Sequence, residues 1–140
     1  MKTLVILFIL TQTFISICFA KVYLYSQNKS NLNEATEETL LQMLKGNKSY
    51  WKSGERIKLC HLEARDDSFQ YILEDYLKLT ADQYLNLWRR KLFTGRGFPP
   101  SLLKSNIDVI DCVNSNENSI GILPKKINLK KNLHQKEINF

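Results

Sequence analysis

The sequence predicts an α/β fold, a single domain in which helices flank a small, mostly parallel sheet. Short β-branched and aromatic runs alternate along the chain with segments whose apolar residues recur at helical spacing. Of the 140 residues, 44% are hydrophobic and 24% are charged, which is typical of one globular domain and not of a disordered chain. With only five glycines and three prolines there is no flexible linker, so we expect one core.

Residues 1–20 have the pattern of a secretory signal peptide. Lys2 precedes the apolar run 4–10, and Cys18 and Ala20 stand at the two positions where signal peptidase prefers small residues. We therefore expect cleavage after Ala20 and a mature chain that is periplasmic or secreted. A retained membrane anchor is the weaker alternative, because polar residues interrupt the apolar run. The mature chain is not expected to span a membrane.

The first half of the mature chain predicts two strands and a helix. Residues 22–26 are β-branched and aromatic and indicate a first strand, which the polar loop 27–33 follows. Residues 36–45 indicate a helix, because a threonine cap precedes two glutamates and a leucine face. The alternating segment 56–62 indicates a second strand.

Two long helices and an irregular link are predicted next. Residues 66–79 have apolar positions at helical spacing, and two aspartates stand at their start. Thr80 and Gln83 form a capping-box pattern for a helix that stops at Gly95. Residues 95–100 contain too many glycines and prolines for regular structure.

The last third of the chain predicts a helix, a strand and a polar tail. Ser105 and Asp108 again form a capping-box pattern, and residues 119–123 indicate a short buried strand. Residues 125–140 are polar and basic, with room for one last strand before a loose end. We therefore expect the domain to cover residues 21–124.

Cys60 and Cys112 are the cysteines that remain after the expected cleavage. In an exported protein a disulfide between them would persist. Each cysteine also stands in an apolar pattern, where a free thiol is an ordinary small buried residue. The sequence leaves both alternatives open.

Several motifs carry a resemblance to a known family. They are LLQMLKGNKSYWKSGERIKL, LNLWRRKLFTGRGFPP and NENSIGILP, in this order after a strand that directly follows the expected signal peptide. Over residues 22–124 the chain resembles the short phosphate ABC-transporter substrate-binding proteins, relatives of PstS with the type 2 periplasmic-binding-protein fold. The resemblance implies a single periplasmic-binding-protein-like lobe whose cleft is shallow or is completed by a partner. It also implies a non-catalytic protein whose oxyanion site uses hydroxyls, helix-start amides and an arginine.

The resemblance places the anion site between the second strand and the following helix, with Arg65, Asp66 and Ser68 as ligand-binding candidates. Helix-start amides bind anions readily. Here Asp66 and Asp67 occupy that start, so we expect them to cap the helix and to repel a dianion. The anion site is therefore predicted to be degraded.

Ser26 and Gln27 are two further ligand-binding candidates, on position alone. They follow the first strand at its carboxyl end, where open α/β sheets place ligands.

Two functions remain open at this stage. One is an exported, non-catalytic solute-binding protein for a small oxyanion, with a degraded site. The other is a binding-dead interaction module for a membrane transporter or another envelope partner. The two differ at Arg65 and the helix start.

An enzyme is not expected, nor is a metal or another cofactor. His61 and His134 are far apart in sequence, and no pair of Cys or His has metal-ligand spacing. A basic cluster surrounds Trp88, but export argues against a nucleic-acid partner, and a solvated helix face is the simpler interpretation. Its members are Arg89, Arg90, Lys91, Arg96 and Lys104. The tail lysines, which include Lys125 and Lys126, would suit anionic lipid or cell-wall polymer.

Overall fold

The computed structural model of the chain describes residues 21–129 and 132–139, so the expected signal peptide lies outside the described residues. The elements are β1 (Lys21–Ser26), α1 (Lys29–Glu34), α2 (Glu37–Leu44), β2 (Lys58–Leu62), α3 (Asp67–Ile72), α4 (Ala81–Phe93), β3 (Ser101–Leu103), α5 (Asn106–Asn114), β4 (Ser119–Leu123) and β5 (His134–Asn139). Directly after α3, residues Leu73–Leu77 form one π-helical turn.

The five strands form one mixed sheet in the order β3-β2-β4-β1-β5. The central strand β2 pairs in parallel with β3 and with β4. The first strand β1 pairs antiparallel with β4 on one side and with β5 on the other. Four strands therefore point in one direction, and β1 points in the other. The predicted α/β class with a small sheet and flanking helices is confirmed, and the sheet predicted as mostly parallel has two parallel and two antiparallel pairings.

The helix starts that the sequence predicts are confirmed by their hydrogen bonds. Thr80 accepts from the Gln83 amide, and the Gln83 side chain accepts from the Thr80 amide, so α4 begins with a complete capping box. Ser105 caps α5 by accepting from the Asp108 amide at 3.1 Å. Thr36 caps α2 as predicted.

Three elements differ from the sequence prediction. The helix predicted over 66–79 is an α-helix only over Asp67–Ile72 and continues as the π-helical turn Leu73–Leu77. The expected loop over 27–33 is wrong, because α1 begins after Asn28, whose side chain accepts from the Ser30 amide. This helix has six residues and no long apolar face that a sequence pattern would reveal. Burial of Leu32 holds the helix against the domain. Strand β3 was not predicted, since its three residues are too few to show an alternating pattern.

The two faces of the sheet are covered by different helices. Consecutive strand residues point to opposite faces, so the neighbours Cys60 and His61 of β2 enter different halves of the core. His61 stacks on Phe69 of α3, with ring centroids 4.3 Å apart. Cys60 forms a disulfide with Cys112 of α5, which decides between the two alternatives that the sequence left open. The bond ties the central strand to the helix that covers its other face.

The polar segment at the end of the chain contains the last strand that the sequence allowed. Residues 134–139 pair with β1 along its whole length, from Ser26 opposite His134 to Lys21 opposite Asn139. The ammonium group of Lys136 in β5 donates to the carbonyls of Leu32 and Ala35. This strand is therefore part of the same sheet as residues 21–124.

Candidate functional site

The starts of α3 and α5 lie at one edge of the sheet, because these helices follow the parallel neighbours β2 and β3. Asp66 caps α3, as the sequence predicts, by accepting from the Ser68 amide at 2.9 Å. The Ser68 hydroxyl also donates to the Asp66 carboxylate. The Ser68 amide and hydroxyl, which an anion at this helix start would need as donors, are therefore already bound to the Asp66 carboxylate.

Arg65 is also engaged in an internal contact. Its guanidinium Nη2 lies 2.5 Å from Oδ1 of Asp82, in the first turn of α4. Both side chains are exposed, at 68% for Arg65 and 73% for Asp82. An ion pair this exposed contributes little stability and can exchange with solvent ions. Arg65 is therefore next to the predicted anion position but turned toward α4.

The start of α5 also pairs a serine with an aspartate, but with the roles reversed, because Ser105 is the cap. The Ser105 hydroxyl donates to the Asp108 carboxylate at 2.7 Å, and the Asp108 amide donates back to the Ser105 oxygen. A carboxylate in the first turn interacts favourably with the positive end of the helix dipole. A carboxylate of the chain thus caps the start of α3, whereas a serine hydroxyl caps the start of α5 and Asp108 binds that hydroxyl.

Ser26 and Gln27 lie at the opposite edge of the sheet. Because β1 runs antiparallel to β4, its carboxyl end lies beside the beginning of β4. The buried Ser26 hydroxyl donates to the Ser119 carbonyl at 3.0 Å and accepts from the Asn28 amide at 3.2 Å. Gln27 Nε2 donates to the Val113 carbonyl at 2.8 Å. The structure therefore brings Arg65, Asp66 and Ser68 together and leaves Ser26 and Gln27 apart from them.

A buried polar pair joins β2 to α4, and sequence reasoning did not identify it. His61 is fully buried, with Nδ1 2.7 Å from the Leu62 carbonyl and Nε2 2.8 Å from the Tyr84 hydroxyl. A carbonyl only accepts, so Nδ1 carries the proton and the Tyr84 hydroxyl donates to Nε2. The available signal was a histidine in an apolar strand and a tyrosine on the inner face of a capped helix.

Burial sets the protonation of this pair. It lowers the pKa of His61 to about 4, although the bond to the Leu62 carbonyl opposes the shift. Burial also raises the pKa of Tyr84. Next to them the indole N–H of Trp88 faces the Tyr84 hydroxyl without reaching hydrogen-bond geometry. The pair is neutral at pH 7 and closed to solvent, so its role is to join the strand to the helix.

The basic cluster around Trp88 divides into an engaged lysine and exposed arginines. Lys91 Nζ donates to the Gly46 carbonyl at 2.8 Å and to Asn47 Oδ1 at 3.1 Å, which ties α4 to the end of α2. Arg89, Arg90 and Arg96 are exposed. Arg89 also donates to Asn86 Oδ1 at 2.7 Å. The cluster is therefore engaged within the chain at Lys91 and Arg89 and exposed at Arg90 and Arg96.

Two general features of the described residues bear on function. Within 21–129 and 132–139, no three His, Cys, Asp or Glu side chains are grouped as metal ligands. In the same part of the chain, every helix is too short or too polar to cross a bilayer.

Comparison with known proteins shows the fold. No family model matches the sequence, and no curated protein matches it. Among solved structures, the chain is similar to the crystal structure of PstS from Borrelia burgdorferi, with 19% identity and a TM-score of 0.52. The alignment covers 75% of this chain and 41% of that chain, so this protein spans less than half of the PstS length. The chain has the α/β fold expected for a single lobe of a periplasmic binding protein.

Proposed function

We propose that this chain is an exported, non-catalytic protein that uses one periplasmic-binding-protein-like lobe as an interaction module for a membrane or envelope partner. The observation that supports this most is the start of α3, where Asp66 occupies the Ser68 amide and hydroxyl. The oxyanion position that the resemblance implies is filled by the chain itself.

The cost of binding a dianion at this position follows from the same contacts. Phosphate would have to displace the Asp66 carboxylate from the helix start, and such a cap contributes about 1 kcal/mol. It would also lie beside the negative charge of Asp67, at a cost of about 1 to 4 kcal/mol per charge pair at roughly 4 Å. Arg65 offsets part of this repulsion only if it leaves Asp82.

Export is part of the proposal. The signal-peptide pattern of residues 1–20 supports it, and so does the disulfide between Cys60 and Cys112, because disulfides persist in oxidising compartments.

A second candidate is a carrier of a small oxyanion. The fold that the chain shares with PstS favours it, together with the exposure of the Arg65–Asp82 pair. An exposed pair is worth about 0 to 1 kcal/mol, so Arg65 can turn toward a ligand at little cost.

Titration calorimetry with phosphate, sulfate and small carboxylates separates the two candidates. We expect no binding heat from the wild-type chain, and we expect the double variant Asp66→Ser, Asp67→Gly to gain affinity for phosphate or sulfate. The same variant should be less stable in buffer without anions, because α3 loses its cap.

The control is the double variant Glu37→Gln, Glu38→Gln, which removes two carboxylates from the first turn of α2 and should bind no anion. Micromolar binding by the wild-type chain that Arg65→Ala abolishes would overturn the proposal and establish the second candidate. If the Asp66 and Asp67 double variant is as stable as its parent and binds nothing, the ligand region is misplaced.

A further inference from the structure

The carboxyl end of α4 presents large apolar side chains to solvent. Phe93 is 83% exposed and Leu92 is 56% exposed, although both belong to the last turn of the helix. Single exposed apolar residues are common on protein surfaces, whereas Leu92 and Phe93 are two consecutive ones at the end of α4, and we call them the tip.

Positive charge is concentrated in the segment of the chain that carries this tip. Between Asp82 and Asp108 the sequence contains five basic residues and no acidic one. Helical spacing places Arg89 and Arg90 on the turn below Phe93. Within residues 21–129 and 132–139, the three ion pairs are Lys21–Glu137, Lys48–Glu34 and Arg65–Asp82, so these arginines keep their charge for an outside partner.

A groove of about 550 Å³ on the side of α4 that carries Arg90 and Lys91 combines the same two chemistries, whereas Leu92 and Arg89 line a different cavity. Its apolar lining comes from Leu77, Leu79 and Leu87. Its basic lining comes from Lys45, Arg90, Lys91 and Arg96. The groove suits a molecule with an anionic head and an apolar body.

The tip is held rigidly from behind. Lys91 binds the Gly46 carbonyl, and the Trp88 indole packs so closely on Gly46 that a Cβ there would lie 2.9 Å from the ring. A surface fixed in this way loses little conformational entropy when it binds.

We propose that this surface, which consists of Leu92, Phe93, Arg89, Arg90 and Arg96 and is called the α4 patch here, docks on an anionic lipid membrane. Peripheral proteins bind the bilayer interface through apolar side chains that are flanked by basic ones. The apolar side chains enter the boundary of the acyl chains, and the arginines contact the headgroups. Charge complementarity selects anionic lipid over neutral lipid. The inference rests on the proposed function, because it names the partner of the interaction module.

Vesicle co-sedimentation tests the proposal, with phosphatidylcholine vesicles that either contain or lack a minority of phosphatidylglycerol. We expect the wild-type chain to bind the anionic vesicles preferentially and to lose affinity as salt rises. Arg90→Gln with Arg96→Gln should lower the partition coefficient about 25-fold, because each basic residue near such a surface contributes about fivefold. Phe93→Ser should lower it about tenfold.

Matched controls separate the α4 patch from other surfaces. Ile107→Ser removes another exposed apolar residue, since Ile107 of α5 is 72% exposed. Lys125→Gln with Lys126→Gln removes two exposed charges from the tail. Ile107→Ser should bind as the wild-type chain does, and the tail variant should lose clearly less affinity than the variant of Arg90 and Arg96. The wild-type chain and all variants are prepared in the same form with respect to residues 1–20. Differences in binding among them therefore come from the substituted residues.

The proposal is overturned if the wild-type chain shows no preference for anionic vesicles. It is equally overturned if the α4 patch variants bind as the wild-type chain does. It is also overturned if the control variants lose as much affinity as the α4 patch variants lose. Circular dichroism of each variant checks that the fold is retained. Anion binding by the wild-type chain in calorimetry would contradict the proposed function and leave the vesicle result unaffected, so the two failures are distinguishable.

Discussion

The two faces of the sheet are held by different chemistry, and neighbouring residues of β2 show the difference. Cys60 points to the α5 face and is bonded covalently to that helix. His61 points to the α4 face and is held by a ring stack on Phe69 and a hydrogen bond from Tyr84. The strength of the disulfide link does not change with pH, whereas the protonation of a buried imidazole does.

Close packing accompanies the covalent bond on the α5 face. Gly121 of β4 lies so near α5 that a Cβ there would be 2.7 Å from Cγ2 of Val113 and 3.3 Å from Cγ1 of Val109. The α4 face has polar groups in its interior and the exposed α4 patch on its outside. The comparison indicates that one face fixes the fold and the other positions the surface that we propose for binding.

The largest expected effect is loss of the covalent link on the α5 face. The double variant Cys60→Ala, Cys112→Ala frees a loop with a sequence separation of 52, and loop entropy then predicts a loss of about 4 kcal/mol in the free energy of unfolding. Urea denaturation of the variant and the oxidised parent measures it. A loss below about 1 kcal/mol would contradict the idea that this face is fixed mainly by the disulfide.

The second effect is a pH dependence from the α4 face. Because burial lowers the pKa of His61 from 6.5 to about 4, the unfolded chain takes up the proton first. The contribution of His61 is complete above pH 6.5 and falls by about 3 kcal/mol as pH drops from 6.5 toward 4. Urea midpoints measured across this interval should fall steeply with pH.

Two variants decide whether His61 causes that slope. His61→Asn removes the titrating imidazole and should flatten this part of the pH profile, whatever its stability at pH 7. His134→Gln removes an exposed histidine on β5 and should leave the slope unchanged. A wild-type slope that survives in His61→Asn would show that another group titrates and that the α4 face is not the sensitive one.

The smallest expected effect comes from substituting alanine for one glycine on each face of the sheet. Gly121→Ala places a methyl group against Val113 inside a packed core and should cost about 1 to 3 kcal/mol. Gly46→Ala also collides with Trp88 and additionally has to adopt a φ of +67°. Gly54→Ala, whose Cβ would meet nothing within 4 Å at a φ of +90°, measures the backbone penalty alone. Thermal unfolding that ranks Gly46→Ala no worse than Gly54→Ala would contradict the close approach at Trp88.

Local signals in the sequence predicted the helix starts well. Thr36, Thr80 and Ser105 are caps because their side chains reach amides two or three residues away, and such contacts are visible in the sequence. Asp66 at α3 was predicted for the same reason. The direction of β1 was not visible, because strand direction depends on partners almost 100 residues away along the chain.

The candidate site shows the same limit. Ser26 and Gln27 are candidates by position alone, at the carboxyl end of β1, and the antiparallel course of β1 separates them from Arg65. The contacts Arg65–Asp82 and His61–Tyr84 join residues 17 and 23 positions apart. Each pairing depends on how α4 packs on the sheet, which no local pattern encodes.

The pairing of β1 with β5 has a mechanical consequence. Lys21 and Asn139 are register partners, so the first residue of β1 lies beside the last residue of β5. A force that pulls these two ends apart loads the hydrogen bonds of the ladder one pair at a time, and the strands unzip instead of shearing. Once β5 has detached, the disulfide still closes the chain between residues 60 and 112. The stretched protein can therefore lengthen only through the segments outside that loop.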